Sequence, residues 1–170
     1  MAFAKQIANR VVFLADGVVY EDGTPEEIFE HPKKEKTITF ARKLRHLFCR
    51  VDNKKYDLAA IKNSITDFAA KYDVEEDKTN MLHFCAENIT NVLLERLTTE
   101  KVEIGISISY SEIDHSCGIT FNSMGDEFDF FDLIEKGKDG KYKDLAEKLS
   151  QVKEHSSSYW KGANVVKLKL

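Results

Sequence analysis

The stretch Val102–Asn122, VEIGISISYSEIDHSCGITFN, decides the fold class. From Val102 to Tyr110 the apolar residues Val102, Ile104, Ile106, Ile108 and Tyr110 alternate with Glu103, Gly105, Ser107 and Ser109. That two-residue period belongs to a strand with one buried face. Ser111–His115 is turn-like and Ser116–Asn122 returns as a second strand, so the pair reads as an antiparallel hairpin.

Two amphipathic helices are expected before this hairpin. Asp57–Tyr72 carries Leu58, Ile61, Ile65, Phe68 and Tyr72 on one stripe. After the acidic connector Asp73–Asp77, Asn80–Leu97 places Leu82, Cys85, Ile89, Val92, Leu93 and Leu97 on one face, with Glu87, Asn91 and Glu95 four residues apart on another. Beyond the hairpin come an acidic and aromatic stretch (Asp126–Ile134), a glycine and lysine loop (Lys136–Lys141), and an amphipathic helix (Tyr142–His155). Trp160 is expected to anchor the start of a last strand, Asn164–Leu170, against the core. Helix, helix, strand, strand, helix, strand implies an α+β two-layer sandwich, a mostly antiparallel sheet with helices on one face.

A small hairpin-plus-helices segment precedes that sandwich. Ala2–Asn9 suits a short helix, and Arg10–Leu14 is a strand ending at Asp16-Gly17, a pair suited to the positive φ angles of a tight hairpin turn. Val18–Tyr20 returns and Gly23 closes the unit. Thr24, Pro25 and Glu27 form the N-cap, N1 and N3 of a helix stopped at His31-Pro32. From Lys36 to Phe48, Ile38, Ala41, Leu44, Leu47 and Phe48 fall at helical spacing, and the polar RVDNKK run (50–55) places a domain boundary, giving domains 1–49 and 50–170.

Of the 170 residues 42% are apolar, enough for a core, and 32% are charged with a net charge of −4, which argues against nucleic acid as a partner. Cys49, Cys85 and Cys117 are odd in number and far apart, as in a reduced cytoplasmic protein, and no histidine lies at zinc-site spacing from another ligand. No apolar run approaches the ~20 residues that span a bilayer, so direct membrane insertion is not expected.

Two resemblances follow from these residues. The run AKQIANRVVFLADGVVYEDGTPEEIFEHPKKEKTITFARKL, within Met1–Arg45, resembles the C-terminal end of polar amino acid ABC transporter ATPases. That resemblance implies transporter subunits as partners; a regulatory protein is the other expected partner. The family's phosphate-binding GxxxxGK[ST] loop does not occur in this sequence, so ATP hydrolysis of that type is not expected of this polypeptide alone.

Residues 57–170 resemble a degenerate histidine-kinase-type ATPase domain of anti-sigma-factor-kinase size, through HFCAENITNVL, GITFNSMGDEFDFFD and the closing LAEKLSQVKEHSSSYWKGANVVKLKL. The resemblance implies ATP and magnesium as cofactors, Glu87 as the catalytic group, and Asn91 as the residue holding magnesium on the nucleotide phosphates. It places Ser123 at the adenine-binding aspartate position, Gly125 in the adenine loop, and Gly137 and Gly140 in a shortened lid. A serine there substitutes a neutral hydrogen bond for a charge-assisted one.

The leading expectation is an ABC ATPase C-terminal portion joined to a regulatory or interaction domain that does not hydrolyse ATP. The alternative is a small ATP-dependent protein kinase of the anti-sigma-factor type. Because an isolated two-stranded hairpin is marginal in water, the N-terminal segment is expected to pack on the second domain or on a second copy, making a homodimer.

Overall fold

The computed structural model describes residues 7–97 and 101–170. The helix expected over Ala2–Asn9 therefore falls largely outside the described residues. The chain forms two compact units: the described residues of Met1–Arg45 with Ser111–His115, and His46–Tyr110 with Ser116–Leu170, again as far as they are described.

In the first unit β1 (Val11–Ala15) pairs antiparallel with β2 (Val18–Gly23). The turn residues Asp16 and Gly17 have φ of +54° and +78°, as the Asp-Gly pair implies. Opposite Phe13 and Leu14 the register slips, leaving Tyr20 as an extra residue in β2. Helix α1 (Pro25–Phe29) opens with a full capping box. Glu27 N–H donates to Thr24 Oγ1 (3.2 Å), and Thr24 N–H donates to Glu27 Oε2 (2.8 Å). The ring of Phe13 lies 5.2 Å from Phe40 of α2 (Glu35–Ala41) and 6.2 Å from Tyr20.

The helix expected to reach Phe48 ends at Ala41. Lys43 takes a positive φ of +48°, which an α-helix cannot continue, and Leu44–Val51 is strand β3. Its inward residues Leu47, Cys49 and Val51 alternate with exposed Phe48 and Arg50, a period of two hidden inside a spacing that also fits a helix.

The remaining elements are α3 (Leu58–Tyr72), α4 (Glu76–Arg96), β4 (Ile104–Ser111), β5 (Cys117–Met124), α5 (Phe130–Lys136), α6 (Lys143–Leu149), β6 (Glu154–Trp160) and β7 (Ala163–Lys169). The strands join as β3-β4-β5-β7-β6, an antiparallel five-stranded sheet within an α+β unit. Helix α3 is capped by Asp57, whose carboxylate accepts from Ala60 N–H (2.9 Å), and ends at Asp73 in the left-handed region.

The helix expected to run to His155 ends at Leu149, residues 150–153 turn, and strand β6 begins at Glu154. It is nearly all exposed and lies at the sheet edge, so it carries no apolar alternation to announce it. Lys161 (φ +50°) and Gly162 (φ +83°) turn it back into β7. Trp160 is 66% exposed and so does not anchor the core; the Lys161 ammonium lies 4.2 Å from its ring centre.

One core joins these elements. Ile61, Ile65 and Phe68 of α3 and Leu82, Cys85, Ile89 and Leu93 of α4 pack with Ile104, Ile106, Ile108, Ile119, Phe121 and Val166 of the sheet. The register that sets Ile106 opposite Phe121 and Ile108 opposite Ile119 puts every inward side chain of the hairpin on that side.

Candidate functional site on the long helix

With its apolar face in the core, α4 turns a polar stripe the other way. His83, Glu87, Asn91 and Glu95 succeed one another at four-residue spacing, one per turn. Each has a partner from another segment. His83 Nε2 lies 3.2 Å from Thr66 Oγ1 of α3. Lys62 Nζ of α3 donates to Glu87 Oε2 at 2.6 Å. Tyr56 O–H donates to Asn91 Oδ1 at 3.2 Å, and Lys141 Nζ (2.6 Å) and Tyr142 O–H (3.3 Å) both reach Glu95 Oε2.

The electrostatics follow from these neighbours. Burial pushes the Tyr56 phenol up and the nearby Glu87 charge adds to it, so the hydroxyl stays protonated and remains a donor. Burial holds His83 below its ordinary value, and the Lys62 charge lowers it further.

Gly125 and the residues after it are fixed by a buried amide. Asn164 Nδ2 donates to the Asp126 carbonyl (2.8 Å) while its Oδ1 accepts from Phe128 N–H (3.0 Å). Gly125 N–H donates to the Gly162 carbonyl (3.2 Å), and a side chain at Gly125 would meet Leu97 at the end of α4. Ser123 is buried in β5 between Ile104 and Asn164 of the neighbouring strands. Gly137 ends α5, and a Cβ built there would fall 2.5 Å from the Tyr142 ring, whereas Gly140 faces open space.

The structure therefore brings Glu87 and Asn91 onto one stripe with Glu95, and lays the turn holding Gly137 and Gly140 against that stripe through Lys141 and Tyr142. Tested against a magnesium nucleotide, these residues do not fit as they stand. The Tyr142 ring fills the space at Gly137 where a phosphate would approach, Glu87 is held by an ammonium, and Asn91 Oδ1 is engaged by Tyr56. What they form is a set of cross-links among α3, α4 and the 137–142 turn.

The partners Lys62, Tyr56, Lys141 and Tyr142 were not singled out by sequence. They lie 25, 35, 46 and 47 residues from their contacts, beyond any local signal. His83 was legible in principle, four residues before Glu87.

Elsewhere among the described residues, Glu26, Glu30 and His31 bring ligand-type atoms within 4.8 Å of one another, all exposed around the end of the five-residue α1. No helix among the described residues is long and apolar enough to cross a membrane.

No family model matches the chain. Among curated proteins, it is similar to the probable amino-acid import ATP-binding protein YxeO of Bacillus subtilis, 54% identical over 44 residues, which are 26% of this chain and 18% of that protein. The L-cystine import ATP-binding protein TcyN of Bacillus subtilis is 48% identical over 44 residues, 26% of this chain and 17% of the relative. The arginine transport ATP-binding protein ArgV of Corynebacterium glutamicum is 50% identical with the same two coverages. The chain thus spans under a fifth of the length of these relatives, and a segment of it resembles polar amino acid ABC ATPases.

Proposed function

We propose that this chain is the C-terminal portion of the ATP-binding subunit of a polar amino acid ABC transporter, joined to a regulatory or interaction domain that does not itself hydrolyse ATP. Residues 1–49 are the ATPase portion and 50–170 the degenerate kinase-type domain. The observation that carries this reading is the conjunction of a 44-residue match at 54% identity with an α+β unit whose Glu87 and Asn91 are engaged by Lys62 and Tyr56. The partners are the other subunits of such a transporter or a second copy of the chain, in the cytoplasm.

The test is hydrolysis of ATP with magnesium by the 170-residue chain, and by a complete transporter with and without residues 50–170. Expected are no turnover by the chain and, in the transporter, turnover that persists without the domain but changes in its control. Turnover by the chain that is lost in Asn91→Ala overturns the reading. It favours instead a small protein kinase, a role for which the Glu87 and Asn91 spacing is the motive.

A further inference from the structure

A groove of about 670 Å³ lies on the second unit, between the first turns of α4 and the segment that follows α6. Its volume is within the ~300–1,000 Å³ range of small-molecule sites. The floor is apolar: Met81, Phe84, Val152 and Leu170 line it and pack against the core beneath.

The rim carries the carboxylate of Asp77, the ammonium of Lys148 and the amides of Asn80 and Gln151, together with Lys78, whose ammonium is held by Glu75 at 2.6 Å. Asp77, Lys148, Asn80 and Gln151 are exposed, and among the described residues none of these four side chains forms a hydrogen bond or an ion pair. A partnerless anion, a partnerless cation and two amides over an apolar floor select a particular chemistry. A purely apolar ligand would desolvate Asp77 and Lys148 without compensation. A polyphosphate would meet Asp77 with Glu76 just before it, while of the two lysines on the rim Lys78 is already held by Glu75. A single carboxylate is too small a ligand set for a divalent cation.

We infer that this groove binds a free α-amino acid with an apolar side chain, its carboxylate on Lys148, its ammonium on Asp77 and its side chain on Met81 and Phe84. The inference rests on the proposed regulatory role for its consequence, since a ligand there gives the domain something to report to a transporter. The binding itself is a property of the chain.

The experiment is calorimetry of the 170-residue chain with the free L-amino acids one at a time, alongside the N-acetyl methylamide of any that binds. Expected is saturable binding of at least one apolar amino acid, weakened about tenfold or more by Lys148→Ala and by Asp77→Asn, and lost in the uncharged derivative. Absence of binding at millimolar concentration, or binding indifferent to both substitutions, overturns it. Neither outcome bears on whether removal of residues 50–170 alters transporter ATPase control, so the two readings fail separately.

Discussion

Lys62 and Glu87 join α3 to α4 through a 2.6 Å ion pair whose side chains are 37% and 38% exposed. The pair has two effects. It gives Glu87 a fixed cationic partner, and it sets a positive charge beside His83, one turn earlier on α4.

Replacing Lys62 by Met removes that charge. The His83 titration midpoint then rises toward its ordinary 6.5 while burial still holds it below, which NMR titration of the imidazole measures directly. An unmoved midpoint contradicts the coupling. Because His83 is depressed in the folded state, the unfolded chain binds more protons between the depressed value and 6.5. Stability therefore falls as pH drops through that window, and the fall is shallower in Lys62→Met. At neutral pH the loss of a half-exposed pair costs under about 1 kcal/mol.

The two glycines of the 137–142 turn separate cleanly by substitution. A methyl at Gly137 would stand 2.5 Å from the Tyr142 ring, so Gly137→Ala displaces the ring and costs about 1–3 kcal/mol in thermal or urea unfolding. Gly140 has nothing within 4 Å, so Gly140→Ala is neutral or stabilises by up to about 1 kcal/mol through the unfolded chain. If the glycines served instead as an open phosphate cradle, the two substitutions would be equally mild.

The difference between what was legible in the sequence and what was not has a physical pattern. The β4–β5 hairpin, the apolar faces of α3 and α4 and the capping box at Thr24 all rest on neighbours within a few residues, and the structure places them as the sequence implies. Strand β3 was missed because Leu44, Leu47 and Phe48 satisfy a helical spacing, and only the positive φ at Lys43 breaks the register. Strand β6 was missed because an exposed edge strand built on three serines has no apolar period. On the polar stripe Glu87 and Asn91 were visible as a pair, but their engagement by Lys62 and Tyr56 arises from tertiary packing alone.

The thiols offer a probe of the core. Burial pushes Cys85 up to about 12 and Cys117 up to about 11, so neither supplies thiolate at pH 8. Cys49, on edge strand β3, is only partly buried. A thiol reagent such as DTNB is expected to modify Cys49 first in the native chain and all three cysteines in denaturant. Modification of Cys85 or Cys117 at the rate of Cys49 would show that the α4–sheet contact opens readily.

The hairpin of the first unit leaves an apolar surface bare: Val12, Leu14 and Val19 are 45%, 65% and 61% exposed, with Leu14 and Val19 directly opposite each other across the strands. A two-stranded ribbon is marginal in water, and an apolar face on it favours association. The 170-residue chain is therefore expected to self-associate in a concentration-dependent way by light scattering. Leu14→Thr with Val19→Thr should shift it toward monomer while keeping strand propensity at both positions. Because the capping box and the Phe13 cluster lie off that face, the double variant should retain its helical circular dichroism. A chain that is already monomeric, or one whose association ignores both substitutions, would place the function of this face elsewhere.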